Sequence, residues 1–261
     1  MRLATPISHL FRDEAAGARI AAASDCLECR EWCIESAWPR QELIHYDLGL
    51  QLRWDGKTHD ELRHAFSLKK ELKLVTFQIP SCYEAPVLKG RCFQPGGRRL
   101  DRAEMLETIC DNVRWLKTAL QPGVEVGLEN NNYYPTPAYE DVTDPAFVTE
   151  AVGTSGCLFL LDIAHAYISA HNRGERSEDY LAGLPLGRLA QVHLCGPVIP
   201  EQGMAFDEHE WPGEVLTAEA IRLGVLHGAR YLTVEYYKNT DRLVEGLAAL
   251  RVRISESGGN L

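Results

Sequence analysis

Seven residues of metal-binding type sit at the ends of apolar, strand-like runs in the second half of the chain. Glu129 closes GVEVGLE, Asp162 and His165 follow CLFLL, and His193 closes RLAQVH. Asp207 and His209 occupy the next loop, and Glu235 ends ARYLTVE. If those strands are parallel neighbours, four carboxylates and three imidazoles converge on one place. Crowded carboxylates in a partly buried site cannot all stay ionised without cations. The pattern therefore predicts a multinuclear metal site in an enzyme.

The spacings fit that chemistry. Asp162 and His165 are three residues apart, so a first helical turn puts both on one side. Asp207 and His209 share a side if the loop is extended, because alternate residues point the same way. Carboxylate oxygens with imidazoles suit iron, manganese or zinc. Seven side chains do not saturate two or three six-coordinate ions, which leaves positions for water, substrate or dioxygen. Taken singly, a strand-end Asp or Glu is ordinarily a solvated group or a helix cap, and a lone His a hydrogen-bonded structural group. Their shared position makes the case.

The elements that must position them follow from the apolar periodicity. Strands are expected at RLATPIS, EWCIES, LIHYDLGL, LKLVTFQI, VEVGLE, CLFLLDI, RLAQVHLC and RYLTVEY, and helices at 11–23, 57–71, 101–120, 144–153, 214–227 and 240–256. Near-continuous apolar runs mark parallel strands buried on both faces. Eight strands alternating with helices predict a (β/α)₈ TIM barrel spanning 1–261 as a single domain. The link SAWPRQ is too short for a crossover helix, so either one helix is missing near the second strand or that strand is misplaced. Glu129, Asp162, His193 and Glu235 fall at the C-terminal ends of four successive strands, where such barrels build their active sites.

Other residues carry weaker signals. His45, on the strand LIHYDLGL, is a candidate eighth ligand. Asn130 opens a polar loop ending in Tyr133 and Tyr134 and is a candidate for supporting the site or touching substrate. Lys238 and His171 are candidates for substrate contact or support, and His9 could line the mouth. Cys82 lies in a loop that could approach the site. Cys26, Cys29 and Cys33 form CxxCxxxC without a fourth cysteine at a usual zinc or iron–sulfur spacing, which disfavours a structural metal there. Cys110, Cys157 and Cys195 lie in apolar patterns and read as small buried hydrophobes.

Composition bounds the function. An apolar fraction of 45% and a charged fraction of 25% are ordinary for a globular protein. No apolar run reaches the ~18 residues of a membrane helix, and no secretory signal is visible, so a cytoplasmic, membrane-free protein is expected. Its eight cysteines then read as thiols rather than a disulfide framework. A net charge of −10 argues against gripping a nucleic-acid backbone.

The stretch GLENNNYY…CLFLLDIAHAYISAHNRG…YLAGLPLGRLAQVHLCG…FDEH…LTVEYYKN resembles the multinuclear non-heme iron-dependent oxidative enzymes, within the xylose-isomerase-like superfamily. The resemblance runs from about residue 124 to 238, and LLDIAHAYISAHN with YLAGLPLGRLAQVHLCG is its specific part. It implies two or three irons, zinc or manganese being less expected. Glu129, Asp162, His193 and Glu235 would hold the central ions and form the catalytic set, and His165, Asp207 and His209 would hold another. His45 matches the early histidine of the pattern. The implied reaction is dioxygen-dependent modification of a side chain, cysteine foremost, in a ribosomally synthesised precursor peptide presented by a partner protein. Gln78 stands where a second early histidine is expected, and His165 where many relatives carry Asn, which favours a third ion. The competing reading is a sugar isomerase or epimerase with one divalent ion on Glu129, Asp162, His193 and Glu235. A zinc nuclease and a non-catalytic binding barrel stand behind it.

Overall fold

Eight apolar segments of the computed structural model, which describes residues 1–258, pair in parallel and close on themselves. In chain order the elements are β1 (Arg2–Pro6), α1 (Glu14–Ala23), β2 (Cys26–Arg30), β3 (Gln41–Gly49), α2 (Gly56–Leu68), β4 (Leu74–Gln78), β5 (Val87–Lys89), β6 (Cys92–Gln94), α3 (Arg102–Ala119) and β7 (Glu125–Glu129). They continue with α4 (Pro145–Ser155), β8 (Leu158–Asp162), α5 (Ile163–Arg173), α6 (Ser177–Ala182), β9 (Leu189–Leu194), β10 (Gly196–Val198), β11 (Phe206–Glu210), α7 (Glu214–Leu226), β12 (Tyr231–Val234) and α8 (Thr240–Gly258). The closed order β1-β12-β9-β8-β7-β4-β3-β2 is a (β/α)₈ TIM barrel. Helix starts are fixed locally: Asp13, Asp55, Asp101 and Asp144 each accept from a backbone N–H of the first turn.

Two differences from the sequence expectation share one cause. The second strand is Cys26–Arg30, and EWCIES is a short 3₁₀ turn (Glu31–Cys33) followed by irregular chain. No α-helix crosses from β2 to β3, so the missing helix is real and the strand was also displaced. In CLECR three apolar positions are interrupted by Glu28, which is completely buried. A charged residue inside a strand masks the apolar run that would otherwise mark it. The helices α5 and α6 and the antiparallel hairpins β5–β6 and β10–β11 were also not foreseen.

The barrel interior is partly polar. Gln191, one turn of the strand below His193, donates to Glu28 at 2.5 Å and to Thr233 at 2.8 Å. This cross-barrel network lies beneath the C-terminal mouth, and the apolar core sits between strands and helices. Among the described residues no helix is long and apolar enough to cross a membrane.

Candidate metal centre

Strand pairing does most of the positioning. Asp162 of β8 lies directly beside His193 of β9, and His193 beside Thr233 of β12. Asp162 also caps α5, its Oδ1 accepting from the His165 N–H at 2.8 Å, so strand and helix meet without a loop. That places the positive end of the α5 dipole at a cluster of carboxylates. Asn130 fixes the same junction: its Oδ1 accepts from the Asp162 N–H, and its Nδ2 donates to the Asp162 carbonyl, both at 2.9 Å.

Three histidines have one ring nitrogen tied back and the other turned inward. Thr76 Oγ1 donates to the Ile44 carbonyl at 3.4 Å, so it accepts from His45 Nδ1 at 2.8 Å. The Asn130 carbonyl accepts from His165 Nδ1 at 2.9 Å, and Glu28 accepts from His193 Nε2 at 3.0 Å. The other ring nitrogens face carboxylates, and that of His45 also accepts from Gln78 Nε2 at 3.3 Å. His45 Nε2 is 3.4 Å from Glu129; His193 Nδ1 is 3.1 Å from Glu129 and 3.4 Å from Glu235; His165 Nε2 is 3.6 Å from Asp207 and 3.8 Å from Asp162. His209 Nε2 lies 3.2 Å from Glu235 and 3.3 Å from Asp207. Its backbone sits at φ +46°, a strained conformation for a histidine and one that proteins retain chiefly at functional sites.

With those tautomers fixed, an unprotonated nitrogen faces a carboxylate lone pair to lone pair, which is repulsive unless a proton or a metal cation lies between them. Glu129 Oε2, Asp162 Oδ2 and His193 Nδ1 are buried without a hydrogen-bond partner. Donor atoms of His45, Glu129 and His193 lie within 4.8 Å of one another, as do those of Glu129, Asp162 and His165, of Glu28, His193 and Glu235, of Asp162, Cys195 and Glu235, and of Cys195, Asp207 and His209. Glu129, Asp162 and Glu235 each belong to two of these groups, so the carboxylates link neighbouring groups into one cluster. These orphaned atoms and this donor chemistry fit metal ions of the class that takes imidazole and carboxylate ligands.

Without cations the electrostatics are strained in opposite directions. Burial pushes Asp162 up to about 6, the His165 charge opposing it and the Glu129 charge adding to it. Burial also opposes protonation of His193, yet the charges of Glu28 and Glu129 overcome it and raise the imidazole to about 9. His45 is driven down to about 4 by burial. Such opposed shifts within one cluster are typical of functional sites.

All eight predicted ligands, His45 included, are brought to the C-terminal mouth. Gln78 is there too, its Nε2 3.3 Å from His45 Nε2. Asn130 lies behind Asp162 and His165 as a support. His171 and Lys238 are not brought to the ligand cluster: His171 Nε2 contacts the Gly203 carbonyl at 2.9 Å, and Lys238 pairs with Glu210, so both brace the hairpin that carries Asp207 and His209. His9 lines the mouth. Cys82 turns away, donating to the Pro137 carbonyl. Cys29 and Cys33 stand 3.3 Å apart, sulfur to sulfur, and among the described residues neither they nor Cys26 join a group of three ligand atoms.

Sequence reasoning missed Glu28, Arg30 and Cys195. Arg30 contacts Glu235 and lies 2.8 Å from Glu28 Oε1, a charge contact without the alignment of a hydrogen bond. Once β2 is placed, its proximity to the barrel axis identifies Glu28. Cys195 follows His193 by two residues and so shares its face, a signal that was available. Two cavities, of about 490 and 420 Å³, flank the centre and share Asp47, Gln78, His165 and Asp207.

Residues 101–218 match the family model described as RiPP precursor modification enzyme MbnB/TglH/ChrH. A UPF0276 protein of Caulobacter vibrioides is 33% identical over 111 residues, 42% of this chain and 38% of that protein. The UPF0276 protein VV3194 of Vibrio vulnificus is 31% identical over 140 residues, 51% of this chain and 46% of that one. The match thus spans less than half the length of these relatives. The fold as a whole is similar to D-psicose 3-epimerase from Clostridium cellulolyticum H10, with a TM-score of 0.61 at 11% identity and 99% of each chain covered. Residues 101–218, which carry Glu129, Asp162, His165, His193, Asp207 and His209, are thus similar to the MbnB/TglH/ChrH family of RiPP precursor modification enzymes, and the barrel as a whole is similar in fold to the sugar epimerase.

Proposed function

We propose that this chain holds two or three iron ions and, with dioxygen, oxidatively modifies a side chain, cysteine foremost, of a ribosomally synthesised peptide. The observation that carries the metal reading is the set of inward imidazole nitrogens facing carboxylates, with Glu129 Oε2, Asp162 Oδ2 and His193 Nδ1 unpartnered. His45, Glu129, Asp162, His165 and His193 would hold the inner ions, and Asp207, His209 and Glu235 the outer side. When bound, iron supplies a Lewis acid that can bind a thiolate and exchange electrons with dioxygen. The chain's own groups orient the ligands: Thr76, Asn130 and Glu28 each hold a histidine in one tautomer.

The substrate class rests on the similarity of residues 101–218 to the RiPP precursor modification enzymes and on the shape of the mouth. The two cavities form a trough running from Leu88 and Phe93 past His165 and Asp207 to Trp32 and Tyr237. An extended peptide fills such a trough, and a separate partner would present it. The sugar-epimerase reading draws on the fold of the structural neighbours. It uses one ion, leaving His165, Asp207 and His209 without a joint role.

Elemental analysis of protein purified anaerobically without chelators is the test. Two or three irons per chain are expected, and Glu129→Ala and Asp162→Ala should each lose metal and activity together. One manganese or magnesium with dioxygen-independent turnover of a ketose would establish the epimerase instead. Full metal and activity in both variants would sink the ligand assignment.

A further inference from the structure

We propose that Cys195 is a metal ligand, its thiolate joining Asp207 and His209 on the outer ion of the centre. This rests on the metal reading above and extends it to a donor that reading does not require. Cys195 is fully buried at the step from β9 to β10. Gln191, His193 and Cys195 are alternate residues, so all three face the interior. Its Sγ lies 3.4 Å from Asp207 Oδ1 and within 4.8 Å of ligand atoms of both Asp207 and His209. It also lies within 4.8 Å of donor atoms of Asp162 and Glu235. Asp162 is itself fully buried, with Oδ2 unpartnered in the same space.

The local backbone holds that arrangement. Gly196 pairs with Glu210 across β10–β11, and a Cβ there would meet the Trp211 and Glu210 carbonyl oxygens at 2.8 and 2.9 Å. The close approach that only glycine permits therefore presses the cysteine strand against the strand bearing Asp207 and His209. A buried thiol packed purely as a hydrophobe has no need of carboxylate and imidazole neighbours on its sulfur. As the ion binds, the thiol proton leaves to solvent and sulfur takes one coordination position. A thiolate softens this site relative to an all-oxygen-and-nitrogen one, favouring iron or zinc over manganese.

Anaerobic titration of metal-free protein with cobalt(II) reads the sulfur directly. A near-ultraviolet sulfur-to-cobalt charge-transfer band is expected, growing with the last equivalent bound. Cys195→Ala and Cys195→Ser should lose that band, retain the visible bands of the inner ions, and bind the last equivalent roughly tenfold or more weakly. Cys29→Ala, whose sulfur faces Cys33 and not the mouth, should keep the band. Cobalt bound with visible bands but no sulfur band, or a band that survives in Cys195→Ala, would overturn this assignment and leave the metal centre standing. A protein that binds no cobalt at all would remove both.

Discussion

On the proposed metal reading a cation would have to displace a proton from His193, and the competition has a size. In the metal-free site the charges of Glu28 and Glu129 outweigh burial and hold its imidazole at about 9, against an ordinary 6.5. At pH 7 the ring therefore carries a proton on each nitrogen, one directed to Glu28 and one to the Glu129–Glu235 side. A cation that takes Nδ1 must expel the second. Raising the pH from 7 to 9 removes most of that competition, so the affinity should climb by roughly 50-fold, about 2.3 kcal/mol at 1.36 kcal/mol per unit. Above pH 9 only about a further twofold remains. The sign is opposite for the stability of the metal-free fold. A histidine raised above its unfolded value stabilises fully below about 6.5 and loses that contribution as the pH passes 9. Metal-free protein should thus weaken over the same range in which metal binding strengthens. Anaerobic isothermal titration with manganese(II) in buffers of different ionisation enthalpy counts the protons released. His193→Gln should shorten the slope by one proton. An affinity flat from pH 7 to 9 with no proton released would refute the placement of an ion on Nδ1.

The supports behind the ligands give further outcomes. Thr76→Val removes the acceptor of His45 Nδ1 with almost no change of shape and should weaken metal binding by roughly 10–100-fold, read by competition with a chromophoric chelator. Glu28→Gln should cost a similar roughly 10–100-fold and also lower the pKa of His193, visible as a shifted imidazole resonance in the metal-free protein. His45→Ala should reduce the metal content without abolishing it; an unchanged count would leave His45 with a structural role. Gly246→Ala places a Cβ 1.8 Å from the Trp211 ring and should destabilise the packing of α8 by roughly 1–3 kcal/mol, measured by denaturant melts.

Much of the barrel is written locally. Parallel strands buried on both faces leave apolar runs, and helix starts leave an aspartate before the first turn, so seven of eight barrel strands and six helices are visible in the chain. Where a local signal is contaminated, reading fails. In CLECR the buried Glu28 breaks the apolar run and the cysteines imitate a metal motif, while the neighbouring EWCIES offers a cleaner alternation that the fold does not use. The hairpin β10–β11 was hidden for a related reason: its second strand, FDEHE, is almost entirely polar because its side chains face the site and the solvent rather than a core.

The site divides along the same line. Glu129, Asp162, His193 and Glu235 are legible because each ends a strand, and strand ends at one rim of a barrel converge whatever the register. Their supports are not legible. Thr76 reaches His45 only because β3 and β4 pair those two residues directly, and Glu28 reaches His193 only across the barrel axis. Either relation depends on strand register, which a near-continuous apolar run does not reveal because both faces of these strands are buried. The proposed centre would depend on those invisible partners as much as on the ligands, since the tied-back nitrogen decides which nitrogen would face an ion. A chain could therefore keep all eight candidate ligand residues and still bind metal roughly 10–100-fold more weakly after a change at Thr76 or Glu28, so the variants at those two positions test the geometry and not only the presence of the ligands.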